Sequence, residues 1–332
     1  MIPLPLLLYL GHSTDFIGVK TSRGLATFAP EKCVGEFRHD DCPFTLGLPR
    51  MAMVEAAAAG AKTLVLGIAN SGGTMEPALV EDALAAIEAG MNVAAGLHQR
   101  LRDQPRLAEA ARAAGVTLFD VRDAPVDLPV GNGRPRAGRR VLTVGTDCST
   151  GKMYTTLALT RALRARGVVA DFRATGQTGI LIAGEGVPID AVVADFISGA
   201  VERLAPARDD GGWDVIEGQG SLFHPSFAGV STGLLHGAQP EAIVLCHDPG
   251  RGHMRGLPGQ PLPGIAETLA MNLAIARLTS PAVRAVGICL NTSASDECEA
   301  RALCAATADE HGLPCTDPMR FGLDAIVDRL LA

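Results

Sequence analysis

The stretch RRVLTVGTDCSTGKMYTTLALTRALRAR, residues 139–166, constrains this chain more than any other. Val141, Leu142 and Val144 form a short β-branched apolar run, the pattern of a buried parallel strand. GTDCSTGK, residues 145–152, is a tight glycine loop. Leu157, Leu159 and Leu163 then recur at roughly helical spacing. Arg161, Arg164 and Arg166 load the end of that helix, where cations suit its dipole. The expectation is strand, loop, helix.

Such a unit is a phosphate cradle. Loop amides point inward, the helix N-terminus adds partial positive charge, and the lysine ammonium neutralises phosphate oxygens. Gly145, Thr146, Asp147, Cys148, Ser149, Thr150, Gly151, Lys152 and Met153 are therefore the cofactor-binding candidates. The plain G-x-x-x-x-G-K-[ST] pattern is not met: Thr146 stands where the first glycine belongs, and Met153 replaces the hydroxyl residue that ligates Mg²⁺. A thioether is a poor ligand for a hard cation. The loop thus favours phosphate binding over Mg-dependent hydrolysis of a nucleoside triphosphate, and no metal site is expected. The bland alternative is an ordinary glycine turn with a lysine by chance. The GTD…GK form resembles the loop of the dethiobiotin-synthetase-like branch of P-loop proteins.

The chain has 332 residues, enough for two cores, which are aliphatic because 47% of residues are hydrophobic and only 4% aromatic. A net charge of −7 and the lack of a basic domain or arm argue against a general nucleic-acid binder. The eight cysteines include no C-x-x-C and no Cys/His set at zinc spacing, so they read as reduced thiols of a cytoplasmic protein. Cys148, Cys246 and Cys289, in or beside apolar strands, read as small core or loop residues. The start, MIPLPLLLYLG, is too short to span a bilayer, lacks a basic flank and carries Pro3 and Pro5. It is expected to be a first buried strand, and no membrane association is expected.

Residues 1–130 read as a Rossmann-like α/β domain with a parallel sheet. Strands are expected over 6–10, 62–68, 91–95 and 116–121, with helices over 49–60, 81–89 and 106–114. The segment GHSTDFIGVKTSRGLATF reads as a polar loop. Asn70–Gly73 is a candidate ligand loop or a simple turn; His12 and His98 read as local hydrogen-bonding residues. Residues 131–138 are the linker, inside a stretch rich in Pro and Gly. Residues 139–332 form a P-loop NTPase-like domain, also with a parallel sheet. There ATGQTGILIAG reads as a polar loop, Ile189–Leu204 as a helix, Trp213–Glu217, Ala242–His247 and Ala285–Leu290 as strands, and Asp296 as an N-cap.

GTDCSTGKM, ATGQTGI, EGQGSLFHP, HDPGR and LNTS, with KTSRGL, GIANSGG and GLH in the first half, together resemble the DgcN-like family across nearly the whole chain. That family was long labelled a domain of unknown function, and its characterised members are D-glutamate N-acetyltransferases. The resemblance implies transfer of acetyl from acetyl-CoA to the amine of D-glutamate, with a partner enzyme acting on the N-acetyl product. A cradle lacking the Mg²⁺ hydroxyl agrees, because acyl transfer from CoA needs phosphate binding without a divalent ion. Glu217, His224 and His247, at strand ends or in adjacent loops, are the candidate bases. Glu217 reads equally as a residue orienting water or the loop lysine, and His224 as a turn cap. Arg251 and Arg255 are natural partners for the carboxylates of D-glutamate, or else a solvated surface pair. Gln177 and Thr178 are further substrate-binding candidates. Two rival readings are a Mg-ATP-dependent ligase or kinase of dethiobiotin-synthetase type and a non-catalytic nucleotide-binding regulator. A homo-oligomer is expected for this class.

Overall fold

A computed structural model describes residues 2–15, 18–68 and 75–332. In chain order the strands and helices are β1 (Leu6–Gly11), α1 (Lys20–Phe28), β2 (Cys33–Arg38), α2 (Met53–Ala58), β3 (Thr63–Leu66), α3 (Pro77–Glu88), β4 (Asn92–Ala95), α4 (Pro105–Ala114) and β5 (Leu118–Asp120). They continue with β6 (Arg139–Gly145), α5 (Lys152–Ala165), β7 (Ala170–Arg173), α6 (Gln177–Ala183), α7 (Ile197–Leu204), β8 (Trp213–Ile216), α8 (Ala228–Ala238) and β9 (Ala242–His247). The last are α9 (Ile265–Ala276), β10 (Arg284–Leu290), α10 (Glu297–His311), β11 (Cys315–Thr316) and α11 (Asp324–Leu331).

The chain divides into two compact units. The first holds Met1–Asp123 together with Gln177–Pro188; the second holds Ala124–Gly176 and Ile189–Ala332. In the first, five parallel strands run in the order β2-β1-β3-β4-β5. Leu7, Tyr9, Leu64, Leu66 and Val93 point to one face, where they pack on apolar residues of α2, α3 and α4. On α1, Ser22 Oγ donates to the Tyr9 carbonyl at 2.8 Å. That helix lies within the stretch expected as a polar loop, and buries Thr21, Ser22, Gly24, Leu25 and Phe28. β2 has no apolar run to announce it, because its buried centre carries Glu36. The carboxylate is satisfied by Leu46 N–H at 2.6 Å and Arg38 Nε at 3.0 Å.

In the second unit six parallel strands run β11-β10-β9-β6-β8-β7. Val141, Val215, Val244 and Val286 pack with Leu159 and Leu163 of α5 and Ile326, Val327 and Leu330 of α11. α8 and α9 also lie against the sheet, with α7 packed on α8. The helix expected over 189–204 is shorter. Val193 adopts an extended conformation, and 3₁₀ turns at Ile189–Ala191 and Ala194–Phe196 precede α7. Adjacent β-branched Val192 and Val193 suit that break. Asp296 does cap α10, accepting from Glu299 N–H at 2.9 Å.

Candidate active site at the phosphate cradle

In the second unit β6 lies between β8 and β9, and the chain leaves it toward β7 on one side and later crosses to β9 on the other. Open parallel sheets bind ligands beyond the strand C-termini where the winding reverses in this way. Three segments meet that description: 145–152 after β6, 217–221 after β8 and 247–255 after β9.

The first is the cradle. Thr146 N–H extends the β6–β9 ladder by donating to Cys246 O at 3.1 Å. Ser149 has φ +55° and Gly151 φ +99°, a turn that delivers the chain into α5. A side chain at Gly151 would be strained there. Among the described residues the amides of Ser149, Thr150 and Gly151 bond to no other group of the protein, so three successive donors remain for a ligand. Lys152 is buried, and its Nζ donates to the Asp147 carbonyl at 2.7 Å. Burial pulls this ammonium below its ordinary range, opposed by Cys148, Cys246 and Asp147. The hydroxyls nearby are turned inward. Thr156 Oγ1 lies 2.9 Å from Thr143 Oγ1, and Thr150 Oγ1 donates to the Asp147 carbonyl at 3.2 Å. Met153, in the first turn of α5, offers only its thioether in the Mg²⁺-ligating position.

The segment after β9 braces the loop. Arg251 Nη1 donates to Asp147 Oδ2 at 2.8 Å and to Cys148 O at 2.6 Å; Nη2 reaches Ser149 O at 3.2 Å and Asp248 Oδ2 at 3.3 Å. Its fork is spent on the cradle itself. Arg255 donates its backbone N–H to Asp147 Oδ2 at 2.8 Å and one guanidinium N–H to Ser149 Oγ at 2.7 Å. His247 Nδ1 lies 3.0 Å from Thr146 Oγ1, and burial holds its imidazole below the ordinary range, hence neutral near pH 7.

The segment after β8 supplies Glu217 and His224. Glu217 Oε2 accepts from Thr175 N–H at 3.0 Å and Gly176 N–H at 3.1 Å. Burial pushes this carboxyl up to about 7; the two amides and Lys152 pull against that, and Asp190 adds to it. His224 Nδ1 accepts from Ser226 N–H at 3.2 Å, which places the ring proton on Nε2, 3.2 Å from Arg255 O. Ser221 Oγ ties this segment to the cradle through Thr146 O at 3.0 Å.

The second unit thus brings together Glu217, His224, His247, Arg251, Arg255 and the whole of 145–153. Gln177 and Thr178 belong instead to the first unit. The expected loop there is helix α6, which packs beside α1, with Thr178 Oγ1 2.8 Å from Thr21 Oγ1. The candidate ligand loop Asn70–Gly73 lies outside the described residues.

One grouping escapes any reading of spacing. A carboxylate oxygen of Asp147, Cys148 Sγ and a ring nitrogen of His224 lie within 4.8 Å of one another. His224 is remote in sequence and arrives through the β8 loop, so no local motif marks it. These are zinc-ligand types. Two of these groups are already engaged, however. Arg251 and the Arg255 amide hold Asp147, and Arg255 O accepts from His224 Nε2.

Comparison with known proteins bears on this arrangement. Residues 129–327 match the profile of a domain of unknown function, the DUF1611 C-terminal P-loop domain, and residues 32–124 match its N-terminal Rossmann-like domain. The chain belongs to the DUF1611 family. A crystal structure of a DUF1611 family protein from Anabaena variabilis is 34% identical, with a TM-score of 0.91 and 99% of each chain covered. A protein of Tritonibacter scottomollicae, named D-glutamate N-acetyltransferase, is 48% identical over 332 residues, the whole of both chains. A protein of a Pseudoalteromonas species with the same name is 48% identical over 326 residues, 98% of each. Among the described residues of this DUF1611 protein, no helix is long and apolar enough to cross a membrane.

Proposed function

We propose that this protein transfers an acetyl group from acetyl-CoA to the amine of D-glutamate. The observation that carries the reading is the 48% identity to two proteins of that name over essentially the full length of each chain. The cradle is chemically suited to it. Three free amides, the α5 N-terminus and Lys152 can grip the CoA diphosphate, while Met153 leaves out the Mg²⁺ hydroxyl that acyl transfer does not need.

In this reading Arg251 shapes the cradle. Arg255 takes a substrate carboxylate, since among the described residues its guanidinium has one protein partner, Ser149 Oγ. His247, held neutral by burial, is the base that takes the ammonium proton of the acceptor. The N-acetyl product then passes to a further enzyme of D-glutamate breakdown.

A Mg-ATP-dependent ligase remains the second reading, because Glu217 occupies the strand end where P-loop enzymes keep an acidic residue. Mass spectrometry of reactions holding D-glutamate with acetyl-CoA, or with Mg-ATP, separates them. N-acetylglutamate in the first mixture is expected; product in the second mixture alone contradicts the acetyl-transfer reading.

A further inference from the structure

Helix α9 carries its polar residues on the wrong side for a surface helix. Only Glu267, Thr268 and Asn272 of its 12 residues are polar. Thr268 and Asn272 are buried, and both spend a donor within the helix: Thr268 Oγ1 on Gly264 O at 2.8 Å, and Asn272 Nδ2 on Thr268 O at 2.8 Å. The outward side is the apolar one. Ala266, Ala270, Met271, Ala274 and Leu278 are exposed, Met271 by 44% and Leu278, just past the helix end, by 71%. A helix at the surface of a soluble protein normally turns its polar face to water. Single apolar side chains scattered over a surface need no explanation, but a contiguous apolar patch marks an interaction surface.

Two charges on the same side identify what covers it. At 3.6 residues per turn, the five apolar positions, Glu267 and Arg277 all fall within about 140° of the helix circumference. Half-buried Leu273 and Ile275 border that face on either side. Glu267 and Arg277 are exposed, and among the described residues neither side chain has a hydrogen-bond or ion-pair partner. They stand about 15 Å apart along the helix, beyond mutual reach in one chain. They do lie equally far from Asn272, one before it and one after, and so do their neighbours. Take a two-fold axis at the level of Asn272, with a second α9 running antiparallel. It sets Glu267, Ala270 and Ala266 against Arg277, Ala274 and Leu278 of the partner subunit, each pairing made twice. Acid meets base, small meets small where the helices approach most closely, and small meets large at the ends. Self-complementarity of one patch is what an isologous dimer requires. An acid in the first turn and a base in the last also suit the helix dipole, but the dipole does not ask that both border an apolar face.

We propose that α9 is the two-fold interface of a homodimer, packed antiparallel on α9 of a second copy. The contact closes on itself, so it ends with two chains and leaves no open surface for a filament. The alanines at its centre let the two helices approach closely, and Met271 and Leu278 leave water.

The test uses the full chain in analytical ultracentrifugation from nanomolar to micromolar concentration. Wild type is expected at twice the subunit mass of 34.4 kDa, or as a tetramer of such dimers. Ala274→Arg puts a charge at the crossing of the two helices while remaining exposed in the single chain. It should weaken self-association by about a hundredfold or more, with an unchanged circular dichroism spectrum. Glu267→Arg and Arg277→Glu, each alone, set like charges opposite one another twice and should raise the dimer Kd by about tenfold. Combining the two restores opposite charges and should return the Kd to near the wild-type value, although both changes oppose the helix dipole. A role in the dipole alone predicts the reverse, with the double variant the worst of the three. Wild type that is monomeric at every concentration overturns the proposal. So does an oligomer that Ala274→Arg leaves intact, since its interface would then lie elsewhere, and so does a double variant that associates more weakly than either single one.

Discussion

The two parallel sheets end in polar rims, and their most exposed and most buried groups differ sharply in contact with water. At the first unit's rim His12 and His39 follow β1 and β2, with rings stacked at 3.7 Å between centroids. Asp41 lies 2.8 Å from His12 Nδ1, and Asp82 lies 2.9 Å from His39 Nε2. His12 and Asp41 are 47% and 62% exposed. At the second unit's rim Asp147, Thr146, Glu217 and His224 are all 4% exposed or less. Both sheets place imidazoles just beyond strand C-termini, where parallel architecture gathers polar groups; in the first, the carboxylate of Asp82 comes from α3. Only in the second does burial turn those groups into strong, fixed electrostatics. Water screens the His12–Asp41 pair, whereas the His39–Asp82 pair, 32% and 14% exposed, and the second cluster are shielded from it.

The largest test of that contrast is Arg251→Ala. It removes the side-chain partner of the fully buried Asp147 and should cost about 3–5 kcal/mol in chemical denaturation, with loss of acetyl-CoA binding. His12→Ala, which breaks an exposed pair, should leave the unfolding free energy unchanged within error. Equal costs for the two would break the comparison.

Gly218→Ala comes next. An added Cβ would lie 1.8 Å from the Thr143 carbonyl, under the cradle's supporting strand, where backbone cannot yield cheaply. A loss of about 1–3 kcal/mol and a lower Tm are expected; an unchanged Tm would show that the β6–β8 contact is looser than described.

Glu217 gives a smaller, pH-dependent effect. Its folded pKa is raised from 4.5 to about 7, so between those values the folded state holds a proton that the unfolded state has released. Its contribution to stability is full below about pH 4.5, falls as pH rises through this window and is gone above about 7. Glu217→Gln should flatten that slope in unfolding curves taken across the window. A wild-type slope unchanged in the variant would contradict a desolvated carboxyl. Smallest of all, Arg255→Gln should raise the D-glutamate KM more than the acetyl-CoA KM; equal changes would count against its role as carboxylate partner.

The cradle was legible in the sequence because every part of it is contiguous: strand, loop, lysine and helix follow one another within 139–166. The parallel sheets were legible for the same reason, through strands that carry apolar runs. β2 was not, because its buried Glu36 breaks the hydrophobic pattern and is satisfied by hydrogen bonds from Arg38 and the following loop at Leu46. Helix α1 and helix α6 were hidden by Gly, Ser and Thr, whose packing against neighbours outweighs their weak helix propensity. Arg251 was placed correctly at a strand end, yet its partners are the carboxylate and carbonyls of the cradle, a fact no local pattern encodes. The Asp147–Cys148–His224 grouping is the extreme case, made wholly by the β6 and β8 loops meeting.

The central claim is that a lysine and a row of unpaired amides hold a CoA diphosphate without a divalent ion. An equilibrium titration of acetyl-CoA in the presence of a chelator, with wild type and Lys152→Ala side by side, tests it most directly. Saturable binding by wild type, weakened by about tenfold or more in the variant, is the result expected from losing one charged hydrogen-bond donor. No binding by wild type, or equal affinity in the variant, would contradict the account.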